Sequence, residues 1–113
     1  MMAKVFPFHI FLAAVSFDYD GVLSTKKGKE MAKNHLTQGD KVYIITARQK
    51  TDSSAVYSTA AELGIPRSQV VFTEGRDKWT YVKRRKMDIH YDNNPEQIQK
   101  INDKTMTRGR LFK

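Results

Sequence analysis

A chain of 113 residues with 40% hydrophobic content is long enough for one sheet with its covering helices and too short for a second lobe. It has no cysteine, which excludes a disulfide framework, a thiolate zinc site and a cysteine nucleophile, and which fits a reducing cytoplasm. Twenty basic against twelve acidic residues leave a formal charge of +8, gathered at Lys26 to Lys33, Arg84 to Lys86 and Arg108 to Lys113; such a surface suits a phosphorylated or polyanionic partner, and equally a solvated basic face.

Lys4 followed by Phe6 to Val15 imitates a signal peptide, but cleavage near Ala13-Ala14 would remove the strand that leads into Asp18. The apolar stretch is also shorter than the roughly 20 residues a membrane span needs. No membrane association is expected, and Met1 to His9 receives no role. Phe11 to Phe17 then reads as a strand covered on both faces in a parallel sheet. It empties into Asp18-Tyr19-Asp20-Gly21-Val22, where two carboxylates can converge on one phosphate and one hard cation and Gly21 permits a sharp turn. Ligands of such sheets bind beyond the strand C-termini.

Ser24 to Lys29, polar and glycine-containing, is expected to be a loop or short flap. Glu30 to Leu36 follows as a helix with Met31, His35 and Leu36 on one face, closed by Gly39-Asp40. Lys41 to Ala47 is the second strand, with Thr46 at its C-terminal edge, beside Asp18 if the two strands are parallel neighbours. Asp52 or Ser53 caps the next helix, whose face is Val56, Ala60 and Leu63, and Gly64 stops it before Ile65-Pro66. Gln69 to Thr73 is a short third strand. Gly75 and Asp77 introduce a helix from about Lys78 to Lys86 that turns Trp79 and Val82 inward. Met87 to Tyr91 is the fourth strand and ends at Asp92-Asn93-Asn94. Pro95 suits a first helical position, with Ile98 and Ile101 continuing the apolar face. Arg110 to Lys113 adds a short edge strand. No internal repeat is present. Strands alternating with helices in this order imply right-handed crossovers and a single three-layer α/β/α sandwich with a mainly parallel, Rossmann-like sheet, its core at about 11–101.

Taken together, Asp18 and Asp20 after strand one, Thr46 after strand two, Lys78 at a helix start and Asp92 after strand four resemble, in order and context, the four motifs of the haloacid dehalogenase superfamily. The resemblance covers roughly Phe11 to Ile101. It implies a phosphomonoester hydrolase that uses Mg²⁺ and forms an aspartyl phosphate. Asp18 is then the nucleophile, and Asp20 protonates the leaving oxygen and later activates water. Thr46 and Lys78 contact the transferring phosphoryl group. Asp18, the Asp20 backbone carbonyl and Asp92 surround the metal. Arg76 and Lys83 compete with Lys78 for the cationic role. The fourth motif departs from the usual pattern, because Asn93 stands where a second acid is common. An alternative metal site at Asp88, His90 and Asp92 fails on distance, since Asp88 and Asp92 lie about 13 Å apart on an extended strand; His90 is therefore read as a packed or hydrogen-bonded strand residue.

About 28 residues separate Asp18 from Thr46 and about 32 separate Thr46 from Lys78, all filled by the elements above, so no cap domain fits. An open site suits a large substrate unless a second copy of the chain covers it. Thr46-Ala47-Arg48 also resembles the variant in phosphatase domains of polynucleotide kinase-phosphatases and in small phage-type members. This makes Arg48 a candidate phosphate contact and favours nucleotides or polynucleotide ends, with Lys26, Lys27, Arg48, Arg84 and Arg85 holding further phosphates. A small-metabolite phosphatase and a non-catalytic nucleic-acid-binding module remain the alternatives. A receiver-type phosphoacceptor domain has its acidic residues in a different order.

Overall fold

The structure is a computed structural model that describes residues 13–113. The expectations for Met1 to His9, and for the Phe11 end of the first strand, lie outside the described residues. Five strands form one sheet: β1 (Ala14–Phe17), β2 (Lys41–Thr46), β3 (Val70–Phe72), β4 (Ile89–Asp92) and β5 (Arg108–Leu111). Their spatial order is β3-β2-β1-β4-β5, and every pairing is parallel. The connecting helices are α1 (Lys26–Thr37), α2 (Ser54–Leu63), α3 (Trp79–Arg84) and α4 (Pro95–Lys104).

Alternation along the strands sorts the core into two layers. Val15, Phe17, Val42 and Ile44 pack with Ala32 of α1 and Val56, Ala60 and Leu63 of α2. Ile45 and Val71 face the other way and pack with Val82 of α3 and Ile101 of α4. The sheet is thus covered on both faces, as a parallel sheet requires. Phe17 is fully buried and stacks on Tyr91 with ring centroids 4.8 Å apart; a side chain of this size contributes about 1.5–3 kcal/mol by leaving water. The chain runs outward from β1 through β2 to β3, then returns to place β4 on the other side of β1. The order of strands therefore reverses between β1 and β4, where open α/β sheets bind ligands. Among the described residues no domain is inserted in any crossover, and no helix is long and apolar enough to cross a membrane.

Ser24 to Lys29 is not a flap. α1 begins at Lys26 because Thr25 caps it, its hydroxyl oxygen accepting the Gly28 N–H at 3.0 Å. Gly28 is buried in the helix, and a Cβ there would collide with the Val22 carbonyl. This glycine thus lets the helix approach the preceding turn closely, whereas in sequence it reads as a helix breaker. The edge strand begins at Arg108 rather than Arg110. Gly109 passes close to α4, held by Asn102, whose side-chain oxygen accepts its N–H at 2.7 Å. Two flanking arginines hide that strand in the sequence. Ser53 precedes α2 as expected, but no side chain caps that helix. At α4 Pro95 occupies the first turn, and Asn94 supplies the cap by accepting the Glu96 N–H at 3.0 Å.

Candidate active site

Asp18 extends β1 by one residue, its N–H donating to the Tyr91 carbonyl at 2.9 Å. Ser16 and Asp18 share the sheet face that α3 and α4 cover, and on β4 the neighbouring positions are His90 and Asp92. Two carboxylates from adjacent strands therefore meet at the reversal point. Lys78, just before α3, inserts between them: its Nζ lies 2.8 Å from Asp18 Oδ1 and 2.7 Å from Asp92 Oδ2. The side chains of Lys78, Asp18 and Asp92 are only 5%, 9% and 0% exposed.

Lys78 is held there from its backbone. Its N–H donates to Gln97 Oε1 of α4 at 3.0 Å, and Gln97 Nε2 in turn donates to Asp77 Oδ1 at 3.1 Å. Sequence reasoning passed over Gln97, whose place one turn after Asn94 carries no chemical signal until α4 is packed beside α3. Behind Asp92, His90 Nε2 donates to Oδ2 at 2.9 Å and Ser16 Oγ lies 2.7 Å from His90 Nδ1. His90 is thus a hydrogen-bonded strand residue, as expected. Asp88 sits at the other end of β4, accepting the Ala14 N–H at 2.8 Å, and takes no part in this cluster.

Two carboxylates sharing one ammonium are not equivalent. Burial pushes Asp18 up to about 6, with Asp92 adding to the rise and Lys78 opposing it. Burial also acts to raise Asp92, but the hydrogen bond from His90 and the charge of Lys78 outweigh it and hold that group down to about 2. Burial lowers the pKa of His90 and overcomes the pull of Asp92, so the ring is neutral. The cluster is left one positive charge short of balance when both carboxylates ionise.

These groups open into a cavity of about 440 Å³ lined by Asp18, Asp20, Arg76, Lys78, Asp92 and Asn93 together with Ala47, Gly75, Asn94 and Gln97. Gly21, at φ 77°, starts the rim, and a Cβ on it would collide with the Asn93 amide. Asp20 is 58% exposed and turns to Arg48, whose Nε and Nη2 lie 3.0 Å and 2.9 Å from its two carboxylate oxygens. Arg48 also lies over the Tyr19 ring, 5.0 Å from its centroid. Thr46 is fully buried and is not among the residues that line the cavity; its hydroxyl oxygen accepts the Arg48 N–H at 3.2 Å. Asp18, Asp20, Lys78 and Asp92 therefore come together around one space, Arg48 joins through Asp20, and Thr46 bonds the backbone of the loop that carries Arg48.

Of the three competing cations, Lys78 joins the carboxylates, Arg76 lies at the cavity wall, and Lys83 lines a different depression. Arg84 and Arg85 do not flank the site. They end α3, whose first residue follows Lys78, and so lie at the opposite edge of the sheet. Lys26 and Lys27 begin α1 on the site side; Lys27 Nζ donates to the Lys113 carbonyl at 2.6 Å.

Asp18 and Asp92 present oxygen donors of the kind that suit Mg²⁺, with one carboxylate charge left uncompensated by Lys78. Among the described residues no three His, Asp or Glu side chains converge as a ready-made cage; the Asp20 carboxylate turns to Arg48.

No family model matches this chain, and no curated protein sequence matches it. Among solved structures, the crystal structure of AibC resembles it with a TM-score of 0.57 at 16% identity, over 89% of this chain and 31% of the AibC chain. The chain thus spans about a third of the length of that neighbour. At this identity the likeness speaks for the fold alone: the chain is an α/β protein with an all-parallel, Rossmann-like sheet between two helical layers.

Proposed function

We propose that the chain is a Mg²⁺-dependent phosphomonoester hydrolase of haloacid dehalogenase type, working in the reducing cytoplasm. One observation carries this reading: buried Asp18 and Asp92, from strands on either side of the reversal point, share buried Lys78 at the floor of an open cavity. A structural ion pair would be served by one acid and one base. Two acids on one base leave negative charge aimed at a ligand.

Asp18 attacks phosphorus in line, forming the aspartyl phosphate as the ester P–O bond breaks. Asp20 gives its proton to the leaving oxygen, then takes one from the water that attacks the phosphoryl group and frees Asp18. A carboxylate gripped by a guanidinium accepts hydrogen bonds only, so Asp20 acts as an acid after Arg48 has turned from it to the substrate phosphate. Lys78, with a third N–H beyond the two carboxylates, steadies the equatorial oxygens. Asp18, Asp92 and the Asp20 carbonyl would hold Mg²⁺, which when bound would neutralise phosphoryl charge.

Hydrolysis of p-nitrophenyl phosphate with Mg²⁺, loss of turnover with EDTA, and loss in a folded Asp18→Asn variant are the expected results. Turnover indifferent to both removes the mechanism. The uncapped rim and the basic residues Lys26, Lys27 and Arg76 favour nucleotides or polynucleotide ends. A phosphorylated oligonucleotide is then used more efficiently than p-nitrophenyl phosphate at low salt, with an advantage that shrinks as salt displaces the polyanion. Equal use at every ionic strength points instead to a small-metabolite phosphatase. Oligonucleotide binding without hydrolysis points to a non-catalytic module.

A further inference from the structure

His90 takes no part in those steps, yet it is fully buried and touches a carboxylate that they use. Both ring nitrogens are engaged, Nε2 with Asp92 Oδ2 at 2.9 Å and Nδ1 with Ser16 Oγ at 2.7 Å. An ionised carboxylate only accepts, so Nε2 carries the hydrogen; in a neutral ring Nδ1 then accepts, and the Ser16 hydroxyl donates. The direction of each bond fixes the next, from Ser16 through His90 to Asp92.

A chain of polar groups between a sheet and its helices is a poor choice for stability alone. Each member is costly to bury without its partner, and apolar residues of similar volume would fill the same space without that risk. Neighbouring buried strand positions such as Val15, Phe17, Ile44 and Ile45 are apolar, so a buried strand position here does not by itself call for a polar side chain. What distinguishes Ser16 and His90 is that they end on Asp92. That carboxylate accepts from three sides: from His90 and Lys78 at Oδ2, and from the Asn94 N–H at Oδ1, 3.1 Å away. Lys78 and Asn94 reach that carboxylate from the cavity lining, where a ligand would compete with them. His90, a flat, fully buried imidazole bonded to Ser16 on its other side, holds Oδ2 from outside that lining.

We infer that His90 is a positioning residue: through its Nε2–H bond, with the tautomer set by Ser16, it holds the Asp92 carboxylate in the orientation that serves a divalent cation beside Asp18. The inference rests on the metal-dependent reading above. Hydrogen-bonded neighbours of metal-binding carboxylates commonly change metal affinity about 10- to 100-fold when removed.

The test uses Mn²⁺ as the probe, with free ion counted by electron paramagnetic resonance. His90→Phe is expected to lower Mn²⁺ affinity by about 10- to 100-fold. His90→Gln, whose amide nitrogen falls near the position of Nε2, is expected to stay close to the unaltered protein, and His90→Asn, whose amide falls near Nδ1, to resemble the Phe variant. Nitrogen-15 spectra of the unaltered protein are expected to show a neutral ring protonated at Nε2, with Ser16→Ala disturbing that tautomer. A purely packing role would lower thermal stability in the Gln and Asn variants alike without separating their Mn²⁺ affinities. Equal Mn²⁺ affinity in folded His90→Phe, or a ring protonated at Nδ1, overturns the inference. If His90→Phe does not fold, the Gln and Asn pair and the spectrum of the unaltered protein still decide. Failure of the unaltered protein to bind Mn²⁺ overturns the phosphatase reading and this role with it, whereas binding that ignores His90 overturns this role alone.

Discussion

Two acid–base clusters lie within one cavity, and they differ in kind. At the floor, Lys78 joins Asp18 and Asp92 with side chains at most 9% exposed. At the rim, Arg48 grips Asp20 with side chains 24% and 58% exposed. The floor is a fixed electrostatic framework, because Lys78 is enclosed between both carboxylates and its removal leaves them stranded in a low-dielectric interior. The rim is exchangeable, because water screens the pair and competes for both groups. The phosphoryl-transfer proposal calls for both: charges that do not move where a phosphate would react, and a pair that opens where it would enter.

Four tests bear on that contrast, in falling order of effect. Asp18→Asn keeps the shape of the floor but removes the proposed nucleophile, and is expected to lower phosphatase kcat on the order of 10³-fold or more, as read by steady-state assays with circular dichroism to confirm the fold. Lys78→Met leaves two carboxylates unpaired and is expected to destabilise the protein by about 3–5 kcal/mol near pH 8, as measured by urea unfolding.

The third test concerns pH in metal-free buffer. Asp18 folds with its pKa raised from 3.8 to about 6, so its contribution to stability is fully present below about pH 4 and is lost as pH rises through 6. Asp18→Asn escapes that loss. It is expected to exceed the unaltered protein in unfolding free energy by up to about 3 kcal/mol at pH 8 and to match it at pH 4. Asp92, held down to about 2, behaves oppositely: its contribution is present above about pH 4 and fades as pH falls toward 2. The fourth test is at the rim. Arg48→Gln is expected to alter stability by less than about 1 kcal/mol while lowering kcat on the order of 10²-fold; a large stability loss would show that the rim pair is as fixed as the floor.

The sequence made the floor easier to foresee than the rim. Asp18 and Asp92 stand at the ends of apolar runs, and a parallel sheet of β-strands and crossover helices brings such ends to one edge. The choice among Arg76, Lys78 and Lys83 stayed open in the sequence, and only the packing of α3 beside β1 and β4 places Lys78 between the two carboxylates. His90 was legible as a bonded strand residue, but its link to Ser16 depends on the β1–β4 register, which no local pattern encodes. The Arg48–Asp20 pair was hidden for another reason: the two residues lie 28 positions apart on different loops, and no local pattern shows that their side chains meet. The start of α1 was misplaced because Gly28 as a close packing contact and Gly28 as a loop residue look alike until Val22 lies beneath it.

Reversal of strand order at β1 has a consequence for how this protein acquires its site in time. Lys78 and Asp92 are only 14 positions apart, but Asp18 and Lys78 are 60 apart and His90 meets Ser16 across 74, so the floor cannot be completed within a local segment. Closing loops of that length is entropically unfavourable until the contacts they allow have formed, and sheets built from distant parallel pairs fold slowly for that reason. A chain emerging from the ribosome through α3 already displays β1, β2 and β3, but β1 keeps one edge open until β4 arrives. Docking of β4 both covers that edge and delivers Asp92, so the floor is completed in the same late step that encloses β1, and the open edge passes outward to β4 until β5 pairs with it.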